Sequence, residues 1–193
     1  KLPTFYKIPD GTPRIRKHSA VIKGWKAQAL VLQCLDRTTG ETSWQRTVRE
    51  VMPHQGYHWK GSFASASPVT DGEHVYISFG SFGLYCYDTR GEQVWKKDLG
   101  AQAMEDGLGE GSSPALKDNT LIVVVDHELQ SFVVAIDKRS GDEIWRRNRE
   151  EVSNWTTPRI FEYQGRHQVV VNGETVRSYD LNTGELLWQS GGQ

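Results

Sequence analysis

Cysteine is scarce: Cys34 and Cys86 are the only two in 193 residues. They form neither a Cys-x-x-Cys metal pair nor a Cys-x-x-Cys-His haem site, and two cysteines alone do not reveal the compartment. Net charge is also lacking, since 23 Lys and Arg face 24 Asp and Glu. That balance excludes the basic footprint of a nucleic-acid binder. The longest apolar runs, such as Leu121–Val125, fall far short of the roughly 20 residues that cross a bilayer as a helix. No segment shows a 3.6-residue apolar period, so no long helix is expected. The chain opens on Lys1 with no initiator Met and no apolar leader, which leads us to expect a mature product or an excised fragment. What is plentiful is tryptophan, with 7 residues, and glycine, with 19. That mixture points to many turns between short elements.

The tryptophans are periodic. Cys34-Leu-Asp-Arg-Thr-Thr-Gly-Glu-Thr-Ser-Trp44 returns as Cys86-Tyr-Asp-Thr-Arg-Gly-Glu-Gln-Val-Trp95, as Ala135-Ile-Asp-Lys-Arg-Ser-Gly-Asp-Glu-Ile-Trp145 and as Ser178-Tyr-Asp-Leu-Asn-Thr-Gly-Glu-Leu-Leu-Trp188. Asp36, Asp88, Asp137 and Asp180 each follow a small residue by two places, and Gly40, Gly91, Gly141 and Gly184 each precede Trp by four. The tryptophans lie 51, 50 and 43 residues apart, the period of a propeller blade. A second landmark keeps phase upstream: Ser67-Pro68, Ser113-Pro114 and Thr157-Pro158, with Ser19-Ala20 at the matching place in the first unit.

Each unit reads as strands. Val75-Tyr-Ile-Ser-Phe, Leu121-Ile-Val-Val-Val and Gln168-Val-Val-Val-Asn are β-branched or aromatic runs behind turn signals such as Asp71-Gly72. The Asp–Gly element suits a tight turn, in which Asp bonds the backbone ahead and Gly supplies a positive φ. A single sheet cannot bury both faces, so a large ring at a fixed place in every unit is expected to fill the gap to its neighbour, largely buried. The first unit is short, with 16 residues from Ala20 to Asp36 against 20 to 23 in the others, so it is expected to lack a full set of strands.

These motifs resemble the tryptophan-docking repeat of pyrroloquinoline-quinone-type β-propellers, Ala-x-Asp-x-x-Thr-Gly-x-x-x-Trp. The resemblance implies a propeller of seven or eight blades when complete, and hence an incomplete ring here. That family holds quinoprotein dehydrogenases and also non-enzymatic scaffolds. Among the latter are the lipoprotein of the outer-membrane β-barrel assembly machinery and the sensor domains of protein kinases. The dehydrogenases hold their quinone beside calcium, under a disulfide between adjacent cysteines, and Cys34 and Cys86 are not adjacent. Glu105, Asp106 and Glu110 form an acidic cluster near a channel entrance that reads as a solvated loop. His54 and His58 have a metal-like i, i+4 spacing but no third ligand. The Ser/Thr residues before the prolines lack a His–Asp context and read as satisfying backbone groups.

The expected architecture is therefore an all-β partial propeller, one domain over 1–193. Its first blade is incomplete at 16–48, and the others span 62–98, 110–148 and 155–190. Candidate partner-binding residues sit on the connectors that precede the prolines: Tyr57, His58, Trp59 and Lys60, then Glu105 and Asp106, then Asn154 and Trp155. Exposed aromatic and charged residues there suit a binding surface; Trp59 and Trp155 packed against neighbouring loops is the alternative. The function expected is a non-catalytic binding or scaffolding module for a protein partner, with no cofactor, no metal, no nucleic acid and no transmembrane segment. Pairing of two copies into a closed ring, as a homodimer, is favoured over missing blades in a longer natural chain or a tighter closure of four blades, with Cys34 and Cys86 as free thiols. The resemblance implies a periplasmic or other extracytoplasmic location. The second reading is a fragment of a quinone- and calcium-dependent dehydrogenase.

Overall fold

A computed structural model describes residues 5–7, 13–15 and 26–191. Two short strands, β1 (Phe5–Lys7) and β2 (Pro13–Ile15), pair with each other, as do β3 (Gln28–Leu35) and β4 (Thr42–Val51). Three four-stranded antiparallel meanders follow. The first holds β5 (Val69–Thr70), β6 (His74–Ser78), β7 (Leu84–Asp88) and β8 (Gln93–Lys97). The second holds β9 (Ala115–Lys117), β10 (Thr120–Val125), β11 (Ser131–Asp137) and β12 (Glu143–Arg149). The third holds β13 (Arg159–Tyr163), β14 (Arg166–Val171), β15 (Thr175–Asp180) and β16 (Leu186–Gly191). The molecule is an all-β partial propeller. Its first unit contributes the β3–β4 hairpin among the described residues, while Ser19-Ala20-Val21 lies outside them.

The Asp–Gly turns share one plan, with the second a residue shorter. The Asp36 carboxylate accepts the Thr38 and Thr39 N–H groups at 2.8 and 2.7 Å, Asp137 and Asp180 do the same two and three residues on, and Asp88 accepts the Arg90 and Glu92 N–H groups. The four turn glycines have φ between 70° and 82°, where a Cβ is strained. The small residue before each turn stands directly opposite the tryptophan: Cys34 faces Trp44, Cys86 faces Trp95, Ala135 faces Trp145 and Ser178 faces Trp188. The register then slips by one residue in all four sheets. This bulge tilts the outer strand and aims the indole at the next blade.

There the ring meets a glycine. Trp95 Nε1 donates to the Lys138 carbonyl at 2.9 Å, and a Cβ on Gly141 would lie 2.9 Å from its ring. Trp145 repeats this with the Leu181 carbonyl and Gly184, and Trp44 with the Thr89 carbonyl and Gly91. The motif thus joins successive blades. Burial does not follow uniformly, which corrects the expectation of four buried indoles. Trp95 and Trp145 are buried, Trp44 is half-buried and Trp188 is 42% exposed. Trp188 bonds Gln168 Oε1 of its own sheet at 2.9 Å and meets no further Asp–Gly turn among the described residues.

Three apolar clusters fill the seams between sheets. Leu30 and Val51 pack with Ile77 and Tyr85, Leu99 and Trp95 with Leu121 and Phe132, and Val133 and Trp145 with Val169 and Tyr179. The inner strands are linked as well: the Ser67 N–H donates to Ser113 Oγ at 2.9 Å, and the Ser113 N–H to Thr157 Oγ1 at 3.2 Å. The Ser/Thr landmarks therefore satisfy backbone donors of the preceding blade. Cys34 and Cys86 are free thiols, and burial pushes that of Cys86 up to about 12.

Candidate functional site

The second and fourth strands of each meander run the same way. The tips at 79–83, 126–130 and 172–174 therefore share one end of the molecule with the connectors at 52–68, 98–114 and 150–158. These loops are bonded to one another. The His58 N–H donates to the Leu108 carbonyl and the Glu128 N–H to the Ala103 carbonyl, both at 2.8 Å. Glu105 donates its N–H to Ser153 Oγ at 2.7 Å, and Ser153 in turn donates to Glu128.

Glu110 is the hub between the first two connectors. Its carboxylate accepts the Ser81 N–H at 2.6 Å, the Ser81 hydroxyl, and Gln55 Nε2 at 3.1 Å. Gln55 also accepts the Met104 N–H at 3.0 Å, and Ser81 Oγ accepts the Gln102 N–H at 2.7 Å. Burial pushes Glu110 above the ordinary carboxylate range against these bonds. Glu110 thus leaves the solvated cluster in which the sequence placed it, whereas Glu105 and Asp106 are exposed. Ser81, His54 and Glu110 have the composition of a nucleophilic triad without its geometry. The Ser81 hydroxyl is directed at Glu110, and His54 Nε2 lies 3.4 Å from Ser81 Oγ but 3.0 Å from the Gln102 carbonyl. The cavity beside these groups measures about 30 Å³, the size for water.

A second hub ties the last two sheets together at the same end. Arg149 and Asp126 form a two-point ion pair at 2.9 and 3.1 Å with both side chains wholly buried. Arg149 also donates to the Tyr179 hydroxyl at 3.1 Å. Glu151 accepts from Arg177 and from the Glu174 N–H. Burial raises the Asp126 carboxyl, and Arg149 opposes it.

The sequence-predicted residues lie on this platform in distinct roles. Trp59 is 78% exposed, with Lys60 Nζ 4.7 Å above its ring and the His58 ring 5.7 Å away. Tyr57 is exposed at its rim and stacks edge-on with Phe63 at 4.6 Å. Trp155 is partly exposed but anchored, its Nε1 donating to the Gly109 carbonyl at 2.7 Å. Asn154 closes its own turn by accepting the Thr156 N–H and reaches the Asn172 carbonyl at 2.6 Å. His54 and His58 are held in separate contacts. Among the described residues no three His, Cys, Asp or Glu converge as a metal would need. Neither hub was read from the sequence, where Glu110 figured only as a member of a solvated acidic cluster. A signal for Glu110 lay in Gly80, where a Cβ would collide with the Glu110 carboxylate.

Residues 28–191 match the family model described as outer membrane protein assembly factor BamB. No curated protein matches the sequence significantly. Among solved structures, BamB from Moraxella catarrhalis is similar at 16% identity and a TM-score of 0.59, over 97% of this chain and 48% of that one. The quinohemoprotein alcohol dehydrogenase ADHIIG from Pseudomonas putida HK5 is similar at 13% identity and a TM-score of 0.60, over 99% and 36%. That from Comamonas testosteroni follows at 22% identity and 0.52, over 70% and 23%. The chain thus spans about half the length of one of these proteins and less of the others.

Proposed function

The chain belongs to the family of the outer membrane protein assembly factor BamB, and from that membership we propose that it acts as a non-catalytic scaffold whose connector face docks a protein. Trp59 carries the reading. An indole 78% exposed, on a loop fixed by the His58–Leu108 bond and capped by Lys60, is an anchor with little left to order on binding. Tyr57, His58, Lys60, Glu105, Asp106 and Trp155 surround or extend it, and Asn154 holds the last connector in place. Family membership supports a location outside the cytoplasm.

The dehydrogenase reading shares the fold, and fold does not carry chemistry. A cavity of about 30 Å³ and separately bonded histidines do not fit a quinone and its calcium, and no step is derived through either.

A photo-crosslinking side chain at position 59 is the direct test in cells. We expect a discrete protein adduct there and none from a control at Val31 on the far hairpin. Equal labelling at both positions sinks the docking reading. Saturable, stoichiometric binding of pyrroloquinoline quinone with calcium, read by absorbance, sinks the non-catalytic one.

A further inference from the structure

A groove of about 440 Å³ opens on the outer rim between β4 and β8, beside the connector platform. Its origin lies in two side chains. Counting back three residues from the motif's small residue gives Phe132 in the third blade and Gly83 in the second. Counting four forward from the motif tryptophan gives Leu99 on the second blade and Val48 on the first. Leu99 and Phe132 are both buried in the seam between second and third blades. At the seam before it, Gly83 and Val48 leave that space open. Gly83 has a φ of 113°, and a Cβ there would press on the Lys97 carbonyl and the Tyr85 ring at 3.2 Å, so the opening is fixed by the backbone.

The floor is apolar, made by Val48, Phe82 and Tyr85, and the walls are basic. Arg49, Lys96 and Lys97 face it, against Asp98 alone. One Asp98 oxygen is taken by the Gly100 N–H, and Lys97 lies 3.6 Å from Glu143. Arg49 and Lys96 make no ion pair among the described residues, in a chain whose overall charge is only −1. We propose that this groove binds an extended acidic peptide segment of a partner protein, with one large apolar side chain on the Phe82–Tyr85 floor and carboxylates against Arg49 and Lys96. An apolar slot between two edge strands fits an extended chain, and its rim selects by charge. The site adjoins the connector platform through Phe82, Gly83 and Asp98, and Trp59 does not line it.

A short fluorescent peptide with Phe flanked by Asp and Glu, titrated into the 193-residue protein and followed by anisotropy, tests this. Saturable binding that weakens with salt is expected, with no binding of the same peptide carrying Lys and Arg. Arg49→Glu with Lys96→Glu should lower affinity about tenfold or more, Lys96→Glu alone should lower it in the same direction, and Trp59→Ala should leave it unchanged. Circular dichroism confirms that each variant is folded. Equal binding of both peptides, no saturable binding, or no response to the folded charge reversals overturns the proposal. So does binding of phosphatidylglycerol vesicles without binding of the peptide.

Discussion

The motif tryptophan has two attachments, a ring laid on a glycine and an indole N–H given to a backbone carbonyl, both on the next blade. The glycine is required twice over, by its positive φ and by the ring above it. A Cβ at Gly184 would sit 2.6 Å from Trp145, whereas one at Gly40 would meet none of the described residues. Trp145→Ala should therefore cost about 3–5 kcal/mol, as large-to-small changes in a core do. Trp188→Ala, at a partly exposed position, should cost about 1 kcal/mol. Urea unfolding of the two variants checks the contrast, and equal losses would show that docking does not set the difference.

At the scale of elements, the Asp turns and the buried ion pair respond differently to acid and to mutation. Hydrogen bonds from the Thr39 and Thr38 backbone hold Asp36 below its ordinary 3.8. The Glu92 N–H and Arg90 do so for Asp88. Asp180 is raised by burial, but Arg166 and its turn N–H groups outweigh that. A carboxylate whose folded pKa is depressed adds stability that is complete above its unfolded value and lost as pH falls through the folded one. The melting temperature should hold down to about pH 4 and then fall, less steeply in Asp88→Asn. Glu110, raised by burial, contributes with the opposite sign. Asp126→Ala takes from the buried Arg149 its two-point partner, leaving it Glu151 at 3.9 Å and the Tyr179 hydroxyl, and should cost about 3 kcal/mol, much of it recovered by Arg149→Met in the same chain; chemical denaturation measures both. The turns were legible because Asp, Gly and Trp recur in phase. The Arg149–Asp126 pair and the Ser81–Glu110 contact were not, since each joins different loops at a single place in the ring and leaves no period. The exposed Trp188 escaped for another reason: its motif is intact, and what it lacks among the described residues is a neighbour.

Taken whole, the described array ends on an uncovered sheet. The register puts Phe161, Val170, Ser178 and Trp188 on one side of it, the side that in the third blade packs against a neighbour. Phe161 and Trp188 are 41% and 42% exposed there, and such faces favour association. The isolated 193-residue chain should self-associate in light scattering, and Phe161→Ser should lower its apparent mass; a parent that stays monomeric would show that this face is not adhesive. The docking contact also gives the array a polarity. Each blade lends its indole forward and offers its turn backward, so the two ends are unequal. A turn stays complete on its own hydrogen bonds, as that of Asp36 and Gly40 shows. A blade that loses its successor must re-house an N–H donor, as Trp188 does on Gln168. Trimming blades should therefore be gentler from the first end than from the last. A gene that gains or sheds repeats would be freer at its beginning than at its close.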